Sequence, residues 1–332
     1  MFQSSHPVVP AHLEPLLAVE DVAVRFHSAR GATRAVDGVS LSIRPGETLG
    51  LVGESGCGKT SLGRAIARLV ELEAGSVRLG GVDLTRLSRR QLRIHRSDVQ
   101  MVFQDPLASL DPRWTVGALI AEPLNIHRIG SRTERRDRVA DLLAKVGLPP
   151  DAAARYPHQF SGGQRQRIGI ARALALDPKL LVLDEPVSAL DVSVQAQILN
   201  LLVDLQKQLG VAYLFISHDL SVVEYISDRV AVMYLGRIVE IATREQLWSS
   251  PAHPYTQALF ASIPRLDAAT AGPRAAPLKG DLPSPYAPPP GCRFHTRCAI
   301  AQPRCRSVSP ELAAMPRTAH AVACHFPTSS SA

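Results

Sequence analysis

An α/β architecture follows from three features of the chain. Short, nearly continuous apolar runs alternate with helical stretches from residue 16 to about 247, the pattern of a largely parallel sheet covered by helices on both faces. A glycine-rich loop ending in Gly58-Lys59-Thr60 lies between one such run and a helical stretch. After Arg265 the composition turns to Pro, Ala and Gly, culminating in Pro288-Pro289-Pro290, and four cysteines follow. The expected molecule is therefore a mostly parallel sheet with an antiparallel strand group near the N-terminus, a helical insertion, and a small cysteine-containing C-terminal extension.

Taken in order, the expected strands are 18–26, 48–52, 100–103, 180–183, 213–217 and 229–233. A helical stretch, 62–70, follows the glycine-rich loop. Over 119–148 the pattern turns helical, with Leu142, Leu143 and Val146 spaced for one face and Pro149-Pro150 ending it. A further helix opens at Ser161, with Ile168, Ala171 and Leu174 on one side and Arg165, Arg167 and Arg172 elsewhere. The α/β domain spans 16–264, its helical subdomain about 104–178. Residues 265–290 read as a semi-rigid proline-rich linker and 291–328 as the extension.

Bulk properties narrow the partners. Apolar residues make up 45% and charged residues 20% of the 332 positions, the composition of a globular protein. No apolar stretch is long enough to cross a bilayer, and residues 1–10 lack a charged start followed by an apolar core, so a cytosolic chain is expected. The net charge of +7 raises the question of nucleic acid, with Arg89, Arg90, Arg93 and Arg96 as the footprint. These arginines read instead as the solvated face of a helix that turns Leu87, Leu92 and Ile94 inward, and aromatics for base stacking are missing there. Nucleic acid is not an expected partner.

The chemistry begins at Gly53-Glu54-Ser55-Gly56-Cys57-Gly58-Lys59-Thr60, followed by Ser61, which fits the phosphate-cradling pattern G-x-x-x-x-G-K-[ST]. Glycines let successive backbone N–H groups face phosphate oxygens, and the helix N-terminus adds its positive dipole end. Lys59 is expected on the β- and γ-phosphates of ATP and the Thr60 hydroxyl on Mg²⁺. The second half of the site is the apolar strand 180–183 ending in Asp184-Glu185, with Asp184 assigned to Mg²⁺ and Glu185 to orienting or deprotonating the attacking water. Ser161-Gly162-Gly163-Gln164 supplies a hydroxyl, exposed N–H groups and a helix N-terminus.

With Ser161-Gly162-Gly163-Gln164 between the glycine-rich loop and the acidic strand, the chain resembles the ATP-binding subunits of ABC transporters. The resemblance covers nearly all of residues 16–250. It implies that Gln104 is the Q-loop glutamine and a Mg²⁺ ligand, that Ser188-Ala189-Leu190-Asp191 is the D-loop, that His218 is the switch histidine, and that Phe26 stacks on adenine. It also implies that the signature of one subunit completes the site of another. One departure is Phe160, where the family more often has Leu. A narrower likeness, to oligopeptide and dipeptide importer ATPases of the OppF/DppF type, rests on Gln104-Asp105-Pro106-Leu107-Ala108-Ser109-Leu110-Asp111-Pro112, on His253-Pro254-Tyr255-Thr256, and on Pro288 to Cys298.

That likeness implies a peripheral protein on the cytoplasmic face of the membrane. Its partners would be a second, homologous ATPase chain, integral membrane permease subunits and, indirectly, an extracytoplasmic solute-binding protein. Nickel importers share much of the C-terminal pattern and remain an alternative, as does a soluble ABC protein outside transport. Cys292, Cys298, Cys305 and Cys324, spaced C-x5-C-x6-C-x18-C, suit Zn²⁺, an iron–sulfur cluster or plain buried thiols. Related importer subunits imply [4Fe–4S]. A metal cluster there is expected to be structural, because the chemistry at Lys59, Asp184 and Glu185 needs no electron transfer, and Cys57 is expected to be incidental.

Overall fold

The computed structural model describes residues 14–28, 31–105, 109–262, 283–316 and 318–328. Pro106, Leu107 and Ala108 of the importer-like motif, and most of the expected proline-rich linker, lie outside the described residues.

Two sheets form the frame. The smaller is antiparallel, in the order β2 (Gly31–Ile43), β1 (Leu17–Ser28), β4 (Ala74–Leu79) and β5 (Val82–Asp83). This is the expected N-terminal strand group. The larger sheet has a parallel centre in the order β9 (Arg229–Tyr234), β3 (Thr48–Val52), β8 (Ala212–Ile216), β7 (Leu180–Asp184) and β6 (Val99–Val102). Every residue of β3, β7 and β8 is buried, which is why each reads as a continuous apolar run. Side chains of a strand alternate between faces, so Leu181, Leu183, Tyr213 and Phe215 enter one core while Leu180, Val182, Leu214 and Ile216 enter another.

The register of the parallel strands places the chemistry. Asp184 pairs with Ile216 and Ile216 with Leu51, so β7, β8 and β3 end level with one another. Their C-terminal ends carry Glu185, Ser217-His218 and the glycine-rich loop, and β6 ends just before Gln104. A crevice at the carboxyl ends of parallel strands is where open α/β sheets bind ligands.

Helices α1 (Lys59–Ile66) and α2 (Arg89–His95) precede the helical region. On α2, Leu92 is buried, but Ile94 is 70% exposed, so the expected inward triad is only partly realised. The helical stretch 119–148 resolves into α3 (Val116–His127) and α4 (Arg132–Lys145). The break has local causes: Arg128 ends α3 in the left-handed region, Gly130 has φ 69°, and Ser131 with Glu134 forms a capping box. Next come α5 (Gly162–Ala173), α6 (Val192–Leu209), α7 (Leu220–Ile226), α8 (Arg244–Ser249) and α9 (Pro254–Ala261). None of the described helices is long and apolar enough to cross a membrane.

The C-terminal segment packs on the main sheet. β10 (Arg237–Thr243) pairs antiparallel with β9, and two short strands, β11 (Ala313–Ala314) and β12 (Ala321–Val322), extend the main sheet from β10. Phe294 is buried against Tyr234 and Tyr255, with ring centroids 5.3 and 5.4 Å away. Arg293 is ion-paired with the buried Asp37. A fully buried Glu240 on β10 accepts from the Ala252 and His253 N–H groups at 2.6 and 3.0 Å and lies 2.6 Å from the His320 ring nitrogen. The described part of the segment after the linker, which also contains α10 (Pro303–Ser307), thus shares the main core through Phe294, Cys292 and Cys298.

Candidate active site

The glycine-rich loop must bend tightly between β3 and α1, and two of its glycines have no room for a side chain. A Cβ at Gly58, where φ is 110°, would come within 2.0 Å of the Ala35 carbonyl oxygen, and one at Gly53 within 2.2 Å of that of Met233. Lys59 is buried, and its ammonium donates to the carbonyls of Gly53 and Glu54 at 2.7 and 3.1 Å. Cys57 is buried inside the loop, and burial pushes its thiol up. Ser55 and Gly56 are exposed at the tip.

Beside the loop, the Thr60 hydroxyl donates to the Asp184 carboxylate at 2.9 Å. Asp184 is buried, and desolvation holds its carboxyl above the usual range against the pull of Thr60 and Arg64. A buried carboxylate whose charge is this poorly compensated fits a divalent cation, with the adjacent hydroxyl as a second oxygen donor. Glu185 is the next residue, set in the left-handed region at φ 49°. Its carboxylate is held from two sides, accepting from the Gln104 amide at 2.9 Å and standing 3.2 Å from Nδ1 of His218. Two residues from two other strand ends, Gln104 after β6 and His218 after β8, therefore meet the Glu185 carboxylate one position beyond the Thr60–Asp184 pair.

The other expected residues are placed apart from this cluster. Phe26 is half-exposed near the end of β1. Ser161, Gly162 and Gln164 are exposed at the start of α5, where Ser161 and Gln164 form a capping box. Among the described residues, none of their hydrogen bonds reaches Lys59, Thr60, Asp184 or Glu185. Their neighbour is the 188–194 segment: a Cβ on Gly162 would touch Leu190, and one on Gly163 would meet Val194 at 2.3 Å. Asp191 caps α6 and takes hydrogen bonds from Ser193 and Val194, which hold its carboxyl below the usual range.

Two residues met in the sequence only as parts of longer motifs touch the loop directly. The Tyr255 hydroxyl accepts from the Glu54 N–H at 3.0 Å, and Arg297 donates two hydrogen bonds to the Glu54 carboxylate at 2.7 and 3.0 Å. Residues beyond 250 therefore reach the nucleotide loop directly.

The four C-terminal cysteines line one small cavity together with His253 and Phe294. Burial raises the thiols of Cys292 and Cys298, and that of Cys324 to about 11. Convergence of four sulfurs suits a thiolate-bound metal in donor type. Their spacing does not: among the described residues, no three His, Cys, Asp or Glu side chains are grouped to hold a metal ion.

Residues 36–188 match the family model described as ABC transporter, and residues 239–305 match the one described as oligopeptide/dipeptide transporter, C-terminal region. The oligopeptide transport ATP-binding protein AppF of Bacillus subtilis is 52% identical over 327 residues, covering 95% of this chain and 98% of AppF. The chain belongs to the ABC transporter ATPases. The oligopeptide transport ATP-binding protein OppF of Salmonella typhimurium is likewise 52% identical, over 93% of this chain and 95% of its own length. Among solved structures, the ATP-binding cassette MJ0796, a dimer in a post-hydrolysis state bound to ADP and Pi, superposes with a TM-score of 0.63 at 29% identity, covering 69% of this chain and 98% of that one. The cbiO1 protein of Clostridium perfringens, part of the ABC transporter complex cbiONQ, gives 0.64 at 28% identity, with coverages of 71% and 92%. The oligopeptide-type match begins within β10.

Proposed function

We propose that this chain hydrolyses ATP to drive import of oligopeptides or dipeptides, as one of two ATPase subunits on the cytoplasmic face of a membrane permease. The observation that carries the hydrolytic part is Glu185, fixed between Gln104 and His218 one residue beyond Asp184. Thr60 and Asp184, with Gln104 joining them, would hold Mg²⁺, which when bound neutralises charge on the β- and γ-phosphates. Lys59 binds the phosphates, and the backbone N–H groups of the loop orient them. Glu185 takes the proton of the attacking water, and Gln104 and His218 keep its carboxylate aimed. Phe26 offers an exposed ring to the adenine base.

Ser161, Gly162, Gly163, Gln164 and Asp191 form a separate exposed patch. Their place in this reading is on the nucleotide of a partner subunit, which is supported by the dimeric relative bound to ADP and Pi. The peptide cargo is supported by the names of the relatives and by the C-terminal match, and nickel is the second cargo to test. The four cysteines are proposed to hold a structural [4Fe–4S] cluster, or Zn²⁺ in its stead. Their shared cavity supports this and their present spacing opposes it. The functional test is reconstitution in vesicles with the permease subunits, the second ATPase and the binding protein. ATP turnover should rise with peptide-loaded binding protein, whereas turnover indifferent to peptide and raised by nickel would reassign the cargo.

A further inference from the structure

Glu54 is an acidic side chain inside a loop whose business is to bind an anion. A carboxylate beside incoming phosphates repels them unless its charge is cancelled. In this chain the cancelling group comes from far along the sequence. Arg297 makes a two-pronged pair with Glu54 at 2.7 and 3.0 Å, its side chain only 6% exposed, and the pairing raises the affinity of its guanidinium for its proton. The same Glu54 is held at its N–H by Tyr255 and at its carbonyl by Lys59. Two of those three fixings originate beyond residue 250. They are braced by packing of the Tyr255 ring on Tyr234 at 4.7 Å and on Phe294 at 5.4 Å, with the Arg297 guanidinium 6.0 Å from the centre of the Tyr234 ring.

We propose that Arg297 is a positioning residue for nucleotide binding, neutralising and aiming Glu54 so that ATP affinity is set in part by the C-terminal segment. The inference rests on the assignment of the glycine-rich loop to phosphate, and its test separates the two. ATP binding is measured by titration on the purified full-length chain with Mg²⁺ present. Arg297→Ala should raise the dissociation constant by about 10-fold or more, because it leaves a half-buried carboxylate without its counter-charge inside the anion-binding loop. Arg297→Lys, which keeps the charge but not the fork, should lose less than the alanine variant. Adding Glu54→Gln to Arg297→Ala should restore affinity to within about threefold of wild type, since no charge then needs cancelling. That rescue is the signature of a charge effect, because Glu54→Gln cannot repair a segment that has merely lost its packing. The proposal is overturned if Arg297→Ala leaves the affinity within twofold of wild type, or if the double variant is as weak as the single one. Lys59→Ala is the control: unchanged affinity there overturns the phosphate assignment itself, while its loss beside an indifferent Arg297→Ala overturns the Arg297 role alone.

Discussion

His253 caps α9 by accepting the Tyr255 N–H on Nδ1 at 3.0 Å, which requires that nitrogen to be unprotonated. Burial pushes the ring down from 6.5 to about 4, with Glu240 pulling weakly the other way. A group whose folded value lies below its unfolded value binds fewer protons in the native state between the two. Stability is therefore complete above pH 6.5 and falls as pH drops towards 4. At pH 4.5 the two values differ in proton occupancy enough to cost at most about 2.5 kcal/mol relative to pH 8. Urea unfolding of wild type and of His253→Asn, at several pH values between 8 and 4.5, isolates this share, because asparagine can accept the same N–H without titrating. The variant should be less stable at neutral pH, from lost packing against Phe294, and the gap should close by about 1–2.5 kcal/mol on acidification. A gap that stays constant across the range would refute a neutral, buried His253.

Further outcomes follow from the same geometry. Gly163→Ala must push Val194 aside from a 2.3 Å approach and should cost about 1–3 kcal/mol of stability by urea unfolding; a neutral effect would mean that α5 and the 188–194 segment yield freely. Gln104→Ala removes one of two groups aiming Glu185 and should lower kcat by roughly 10-fold or more, as steady-state assays of the assembled transporter at saturating Mg²⁺-ATP would show; an unchanged kcat would mean that Gln104 does not aim Glu185. Anaerobically purified chain should be brown and carry about four irons if the cysteines hold [4Fe–4S], or colourless with about one zinc; neither metal in reconstituted protein would leave them as buried thiols.

How much of this was legible in the sequence depended on how local the cause was. β3, β7 and β8 are buried along their whole length and stand out as apolar runs, and the nucleotide loop and Asp184-Glu185 are contiguous, so both strands and motifs were readable. No strand was expected over 31–43, where β2 begins with mostly exposed residues and alternates only in its second half, nor at β12, whose two residues carry no pattern of their own. Ile94 was expected inward because helical spacing shows which residues share a face, but not where a seven-residue helix lies against its neighbours. The contacts of Glu54 were invisible for a plainer reason: Tyr255 lies 201 residues away and Arg297 lies 243, and neither motif containing them mentions the loop. Only the folding of the C-terminal segment onto the main sheet brings them there.

Glu185, held between Gln104 and His218, is the group proposed to activate the water that cleaves ATP. Its most direct test is steady-state phosphate release by Glu185→Gln assembled with its partner subunits, with ATP binding titrated on the same preparation. An amide fills the same space but cannot accept the proton, so release should fall by roughly 100-fold or more while binding is retained. Phosphate release at the wild-type rate would rule out Glu185 as the base.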